Sequence, residues 1–137
     1  MGFRADSLRS SMGGAARAGV VDHRLARRAL ITEYRKGRLA RHQVCDAHPE
    51  LIRAARGIGR ETRVGCPICE EDRLVHVTYV FGPRLPPSGR CISEPNEMAT
   101  LDRRADALTA YVVEVCRTCS WHHLVRTLPI GGRRRTG

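Results

Sequence analysis

The sequence predicts an α+β protein in which an N-terminal module of short helices precedes a small antiparallel β-sheet zinc ribbon with an inserted loop and helix. Three observations predict this class. Apolar residues recur at helical spacing before residue 60, apolar and polar residues alternate after residue 73, and two Cys-x-x-Cys pairs adjoin the predicted strands. A chain of 137 residues has room for one ordinary domain or two very small ones.

The first helix is predicted to begin at Val21, after an arm of residues 1–20 that is rich in Gly, Ala, Ser and Arg and lacks apolar periodicity. The arm has two alternative explanations. It is an organellar transit peptide, or translation really begins near Val21. Asp22 suits the N-terminus of the helix and Gly37 its end. The predicted apolar face consists of Val21, Leu25, Ala26, Ala29, Leu30 and Tyr34.

Two shorter helices are predicted after the first one. One lies near residues 40–47, and the other has Pro49 in its first turn and ends at Gly57 or Gly59. Three short helices in succession form either a helix-turn-helix-like bundle or a helical cap that packs on the rest of the protein. Because the sequence has no recognition-helix signature, both arrangements stay open.

Strands dominate the second half of the chain. A Pro- and Gly-rich loop that ends at Pro95 follows the first of them, one short helix follows Asn96, and strands resume at residues 110–115 and 121–128. The first strand, residues 73–81, alternates in character. Val75, Val77, Tyr79 and Phe81 are predicted to share one of its faces, and the residues between them the other.

The two Cys-x-x-Cys pairs predict a metal site. Each pair lies at a turn beside a predicted strand, and 46 residues separate the pairs. A two-residue spacer lets both sulfurs of one turn reach the same ion, and four thiolates close a tetrahedral zinc site that has no open position for catalysis. We therefore expect a structural Zn²⁺. The expected ligands are Cys66, Cys69, Cys116 and Cys119.

The cysteines and the acidic residues beside them have interpretations other than a zinc site. A thioredoxin-like redox pair needs a βαβ pattern that the sequence lacks, whereas iron in the same four-sulfur geometry is chemically allowed. The acidic run at residues 70–72 is expected to be a solvated turn rather than a Mg²⁺ site. Because no phosphate-binding loop, nucleophile elbow or His-Glu-x-x-His helix occurs, we expect neither an enzyme nor a small-molecule substrate.

Four further residues could be mistaken for ligands. Cys45 is expected to be a small buried hydrophobe, although histidines flank it, and Cys91 is expected to be a free thiol in the Pro-rich loop. His122 and His123 point to opposite faces of a strand, so at most one of them can approach the metal. We expect a supporting or surface role for both.

The charge distribution suggests the partner. The chain has 24 basic and 14 acidic residues, a net charge of +10, and its positive charge lies at the two ends. Such a field favours nucleic acid or a nucleic-acid-containing complex of transcription or translation, although a protein partner is possible. The residues predicted to bind the anion are Arg24, Arg27, Arg28, Arg35, Arg38 and Arg41.

The predicted organisation has four segments: a disordered arm at 1–20, a basic helical module at 21–60, a zinc-ribbon domain at 61–129 and a basic flexible tail at 130–137. Neither a signal-peptide-like apolar run nor a membrane-spanning stretch occurs, so we expect a cytoplasmic protein with reduced thiols and no membrane partner. A protein–protein adaptor and a thiol-based redox or metal-responsive switch are the alternative functions.

Four stretches of the sequence resemble a family of small, functionally uncharacterised proteins from high-GC actinobacteria, including mycobacteria. They are residues 22–59, the first Cys-x-x-Cys turn, residues 79–91 and residues 109–126. The resemblance implies a bacterial cytoplasmic protein and codon bias as the source of the Arg excess, but no activity. The two turns are also similar to those of zinc ribbons in transcription and ribosomal proteins, except that Glu70 and Ser120 replace a frequent glycine.

Overall fold

The computed structural model describes residues 19–132, so most of the predicted arm and tail lie outside the described residues. One antiparallel sheet with helices on both faces forms this part, which confirms the α+β class. In chain order the elements are β1 (Val21–Asp22), α1 (Arg24–Arg35), α2 (Arg41–Val44), α3 (Pro49–Ile58), β2 (Arg60–Gly65), β3 (Arg73–Phe81), β4 (Arg90–Cys91), α4 (Pro95–Asp102), β5 (Ala107–Val115) and β6 (His122–Gly131).

The sheet has the strand order β1-β6-β5-β3-β2, and the short β4 pairs with β3. The periodicity of 73–81 predicted β3 correctly, whereas β5 and β6 are longer than predicted. The edge strand β2 was not predicted, because its residues are mostly exposed and show no apolar alternation. Each of these pairings is antiparallel.

Helices cover both faces of the sheet. Leu51 and Ala55 of α3 are buried against the face that carries Val75 and Val77, as the alternation of β3 predicted. On the other face α1 lies towards the cysteine end, and α4 lies towards the opposite end, where Leu101 contacts the apolar side chains there. The first three helices are therefore a cap on the sheet and not a helix-turn-helix-like bundle.

The predicted apolar face of α1 is right in its second half and wrong in its first. Leu30 and Tyr34 pack, as predicted, against the buried cluster that contains Ile31. Val21 belongs to β1 rather than to the helix, and Leu25 is 78% exposed. In the first half the inward residue is Arg27, whose Nε donates to the Glu114 carboxylate at 2.6 Å. The buried acid sets the rotation of the helix, because an unpaired carboxylate inside the protein would cost several kcal/mol (~3–5).

The loop helix α4 is held at its N-terminus by Glu97. Its carboxylate accepts from the backbone amides of Ser93 and Glu94, at 2.7 and 3.0 Å, and pairs with Arg90 at 2.9 Å. Since Arg90 lies in β4, this network ties the helix to the sheet edge. Within residues 19–132, every helix is too short or too polar to cross a membrane.

Candidate metal centre

The two Cys-x-x-Cys turns lie at the same end of the sheet. The first connects β2 to β3, and the second connects β5 to β6. β3 and β5 are antiparallel, with Val75 opposite Val115, so the start of one strand lies beside the end of the other. Two turns that are far apart in sequence are thereby brought together. We call them the first knuckle (66–69) and the second knuckle (116–119).

The two knuckles have similar backbone hydrogen bonds across the turn, although the first turn is one residue longer. The amide of Cys66 donates to the carbonyl of Asp72, and that of Cys116 to the carbonyl of Trp121, each at 2.8 Å. In the reverse direction, the residue after the second cysteine donates to the carbonyl of the first cysteine at 3.2 and 3.1 Å. Two independent stretches of sequence therefore form similar local structures.

Backbone amides also point at the sulfurs. Cys66 Sγ accepts from the amide of Ile68, Cys69 Sγ from that of Glu71, and Cys116 Sγ from that of Thr118, each at 3.4 Å. Such donors disperse the negative charge of a metal-bound thiolate and fix its direction. The turns thus orient sulfurs as a metal site requires.

The four sulfurs lie close enough together to surround one metal ion. All of them lie within 4.8 Å of one another, and the pairs Cys66–Cys119 and Cys69–Cys116 are each 3.7 Å apart. A tetrahedral zinc ion with Zn–S bonds of about 2.3 Å places its sulfurs about 3.8 Å apart. Residues 66, 69, 116 and 119, which the sequence singled out, could therefore hold a metal ion.

Burial raises the pKa of three of the four thiols, that of Cys66 and of Cys116 to about 11 and that of Cys119 to about 12. In Cys69 the effect of burial is outweighed by hydrogen bonds, first of all from the Glu71 amide, which lower its pKa. The metal-free protein therefore keeps these three thiols protonated at neutral pH. A metal ion that takes four thiolates must displace those protons as it binds.

Apolar side chains close the site on the protein side. Cys66 and Cys116 belong to one buried cluster with Ile31 of α1, Val44 of α2 and Trp121. Helices and knuckles thus share a single core around the sulfurs. Water reaches mainly the second cysteine of each knuckle, which is only partly buried.

Asp72 and Arg117 fasten the two knuckles to each other. The Asp72 carboxylate accepts from the Thr118 hydroxyl at 3.0 Å and from Arg117 Nη2 at 3.3 Å. Arg117 also donates to Glu61 of β2 at 3.0 Å. Asp72, one of the three acidic residues at 70–72, therefore joins the two turns. Hydrogen bonds hold the knuckles together in addition to the contacts between sulfurs.

Cys45 departs from its prediction. It is partly exposed rather than a buried hydrophobe, and its Sγ lies 3.4 Å from Cys119 Sγ. It is not one of the four residues whose sulfurs all lie within 4.8 Å of one another. No spacing in the sequence predicted this contact, because Cys45 and Cys119 lie 74 positions apart.

The predicted anion-binding arginines fall into two groups. Arg24 pairs with Asp22 at 3.0 Å, Arg38 with Glu33 at 3.3 Å, and Arg27 with Glu114 at 2.6 Å. The first two pairs are exposed, but Arg27 is three-quarters buried and thereby turned away from solvent. The members with no carboxylate partner within residues 19–132 are Arg28, Arg35 and Arg41.

Arg41 is exposed and lies within electrostatic range of the sulfurs. Partial loss of solvent works against its charge, but the sulfurs of Cys119 and Cys45 raise the pKa of Arg41 above its ordinary value. Four thiolates around a divalent ion carry a net charge of −2, so a nearby guanidinium is electrostatically favourable. The sequence grouped this residue with the anion-binding arginines; the structure places it beside the candidate metal centre.

The remaining candidate residues have structural contacts. His122 Nε2 lies 3.2 Å from the Asp46 carboxylate, and the His123 ring stacks on Trp121. Neither histidine belongs to the sulfur cluster. Cys91 lies in β4, opposite Tyr79 and near the other end of β3. Burial raises the pKa of its thiol to about 11.

Comparison with known proteins gives a family and relatives. A family model described as "Family of unknown function (DUF5318)" matches residues 15–136. The chain is 42% identical over 114 residues to "Uncharacterized protein Rv0049" of Mycobacterium tuberculosis strain H37Rv and to "Uncharacterized protein Mb0050" of Mycobacterium bovis. Each alignment covers 83% of this chain and 83% of the relative. No solved structure matches the chain.

Proposed function

The chain belongs to this family of unknown function, and from its own geometry we propose that it is a non-enzymatic zinc-ribbon protein of the cytoplasm. In this proposal it serves as an accessory factor that binds nucleic acid or a nucleic-acid-containing machine. The resemblance to an uncharacterised actinobacterial family is confirmed by the match. The observation that carries the proposal is the close approach of four sulfurs in two similar knuckles.

Zinc is proposed because the site is a closed set of four thiols. Tetrahedral S₄ geometry suits Zn²⁺ or iron, and a structural zinc ion in a small domain supplies about 10–16 kcal/mol of apparent binding free energy. When bound, the ion would cross-link two β-hairpins, β2–β3 and β5–β6, at the end where they meet. Such a site stabilises the fold and leaves no position for a substrate.

The nucleic-acid part of the proposal is supported by the exposed side of α1. Arg24, Arg28 and Arg35 fall within about 40° of one another around the helix axis, at 100° per residue. They form an arginine stripe about 16 Å long, at 1.5 Å per residue. The guanidinium groups of Arg28 and Arg35 have no carboxylate partner among residues 19–132 and are open to phosphate contacts.

The metal is tested by its content and by ligand replacement. Purified protein should contain one zinc ion per chain by elemental analysis, and Cys116→Ser should abolish stoichiometric zinc and cooperative unfolding. Cys91→Ser, which removes a thiol remote from the knuckles, is the matched control and should keep both. A Cys116→Ser protein with full metal content and an unchanged melting temperature would contradict the four-cysteine site.

Nucleic-acid binding is tested through its salt dependence. We expect the affinity for a fluorescent single-stranded or duplex oligonucleotide to fall as salt rises, because phosphate contacts release counterions. The double variant Arg28→Gln/Arg35→Gln should reduce the salt slope by about 1–2, since each lost phosphate contact removes about 0.9. The control is Arg63→Gln/Arg103→Gln, which removes the same charge elsewhere. Binding that ignores salt, or equal losses in the two variants, would refute this part.

A further inference from the structure

A fifth thiol contacts the four-sulfur cluster. Cys45 ends α2, and its Sγ lies 3.4 Å from the sulfur of Cys119. This separation is shorter than the 3.7 Å between facing ligand sulfurs of the two knuckles. Four ligands complete a tetrahedral site, so Cys45 is left as an uncoordinated thiol that touches one of them.

The backbone on both sides of Cys45 fixes its position. The amide of Cys45 donates to the carbonyl of Arg41 at 2.8 Å, and the amide of Ala47 donates to the carbonyl of Ser120 at 3.0 Å. Asp46 contacts His122 at 3.2 Å. Segment 45–47 therefore lies against residues 119–122 through the Cys45–Cys119 sulfur contact, the Ala47–Ser120 hydrogen bond and the Asp46–His122 contact.

Cys119 is more exposed to solvent than Cys66 and Cys116 are. Cys66 and Cys116 are 2% and 0% exposed, whereas Cys119 and Cys45 are both partly exposed. A small oxidant in water can therefore reach this pair of sulfurs more readily than the inner two. Accessible thiolates beside a second, resolving cysteine are the sites at which thiols are oxidised reversibly.

We propose that Cys45 and Cys119 are a peroxide-sensitive pair whose disulfide releases the metal. The inference rests on the proposed metal site. The Cys119 thiolate, which a bound metal ion would keep deprotonated, attacks a hydroperoxide, breaks its O–O bond and becomes a sulfenic acid, and the departing hydroxide takes a proton from solvent to become water. The Cys45 thiol then forms the S–S bond and expels the sulfenic oxygen, which leaves as a second water with the Cys45 proton.

After the disulfide forms, three of the four sulfurs would remain to hold the ion. Two electrons pass from the two sulfurs to one hydrogen peroxide, which becomes two waters. Loss of one ligand in four weakens the site, and the disulfide meanwhile joins segment 45–47 to the second knuckle covalently. Disulfides between two ligands would instead remove two sulfurs from the ion at once. Reduction by a thiol restores both residues and the site.

The test compares the zinc-loaded wild-type chain with Cys45→Ser and with Cys91→Ser, which removes the other thiol outside the cluster. Each protein is treated with hydrogen peroxide, zinc release is followed with a chromophoric chelator, and disulfides are mapped by mass spectrometry without reduction. Wild type and Cys91→Ser should yield a Cys45–Cys119 cross-link, and Cys45→Ser should release zinc about tenfold more slowly. Cys45→Ala should behave as Cys45→Ser does.

Other outcomes would overturn the assignment. These are equal release rates in wild type and Cys45→Ser, a wild-type cross-link within one knuckle, or a Cys45→Ser protein that already lacks zinc before oxidation. Failure of the metal site itself is distinguishable, because the untreated wild-type chain would then contain no stoichiometric zinc.

Discussion

The residue that follows each knuckle adopts a backbone conformation that ordinarily favours glycine. Glu70 and Ser120, each directly after the second cysteine of a knuckle, have φ angles of +59° and +75°. A side chain in this left-handed region costs about 1–2 kcal/mol relative to the ordinary regions. The frequent glycine at this position of zinc-ribbon turns thus has a physical reason here, and this chain tolerates the cost twice.

Ser120→Gly and Glu70→Gly should therefore stabilise the protein. The relief of the left-handed conformation exceeds the extra backbone entropy of glycine, and we expect a gain of about 0.5–1 kcal/mol for each change. Urea unfolding of the zinc-loaded proteins measures it. Glu71→Gly, at the neighbouring position outside the left-handed region, should be neutral or destabilising; equal gains in all three variants would contradict the argument.

At the scale of elements, α1 shows how one buried acid orients a helix. Glu114 on β5 is 5% exposed, and its carboxylate accepts from Arg27 Nε and from Trp121 Nε1, at 2.6 and 2.8 Å. The Trp121 indole also belongs to the core around the sulfurs. The position of α1 is therefore coupled to the candidate metal centre through a single carboxylate.

Arg27→Met should destabilise the protein by about 3 kcal/mol, because it leaves the Glu114 carboxylate buried without its cation. Arg28→Met, one residue away on the exposed side, should change the free energy of unfolding by less than about 0.5 kcal/mol. Chemical denaturation of both variants gives the comparison. Similar losses would show that Arg27 contributes no more than a surface arginine does.

At the scale of the whole molecule, the cysteine end is where the first two helices and the two knuckles meet. Residues of α1, α2, both knuckles and the start of β3 form one buried cluster there. The opposite end is closed separately by α4, through Leu101 against Val80 and Leu108. Metal binding should therefore act on the packing of the helices and not only on the two turns.

Metal binding should release protons. Burial raises the pKa of Cys66 and Cys116 to about 11 and that of Cys119 to about 12, so these thiols are protonated in the metal-free fold at pH 7. Binding should release about three to four protons, and the affinity should weaken about a thousandfold or more for each unit by which the pH falls. Calorimetry in buffers of different ionisation enthalpy counts the protons. Release of fewer than one proton would contradict the predicted ligand state.

Much of this fold is readable from local patterns. The alternation of 73–81 predicted β3, and Pro49 and Gly59 bounded α3, because periodicity and special residues act over a few positions. Residues 66, 69, 116 and 119 were found by spacing alone. The domain boundary at residue 60 and the tail remain predictions.

The class of fold, the two knuckles and the four clustered sulfurs follow from the sequence alone, since each of them depends on short-range chemistry. The rotation of α1, the edge strand β2 and the position of Cys45 depend on tertiary contacts. Arg27 turns inward because Glu114, 87 residues away, needs a cation. Cys45 reaches Cys119 because segment 45–47 lies against residues 119–122. These contacts join distant residues, and no local period encodes them.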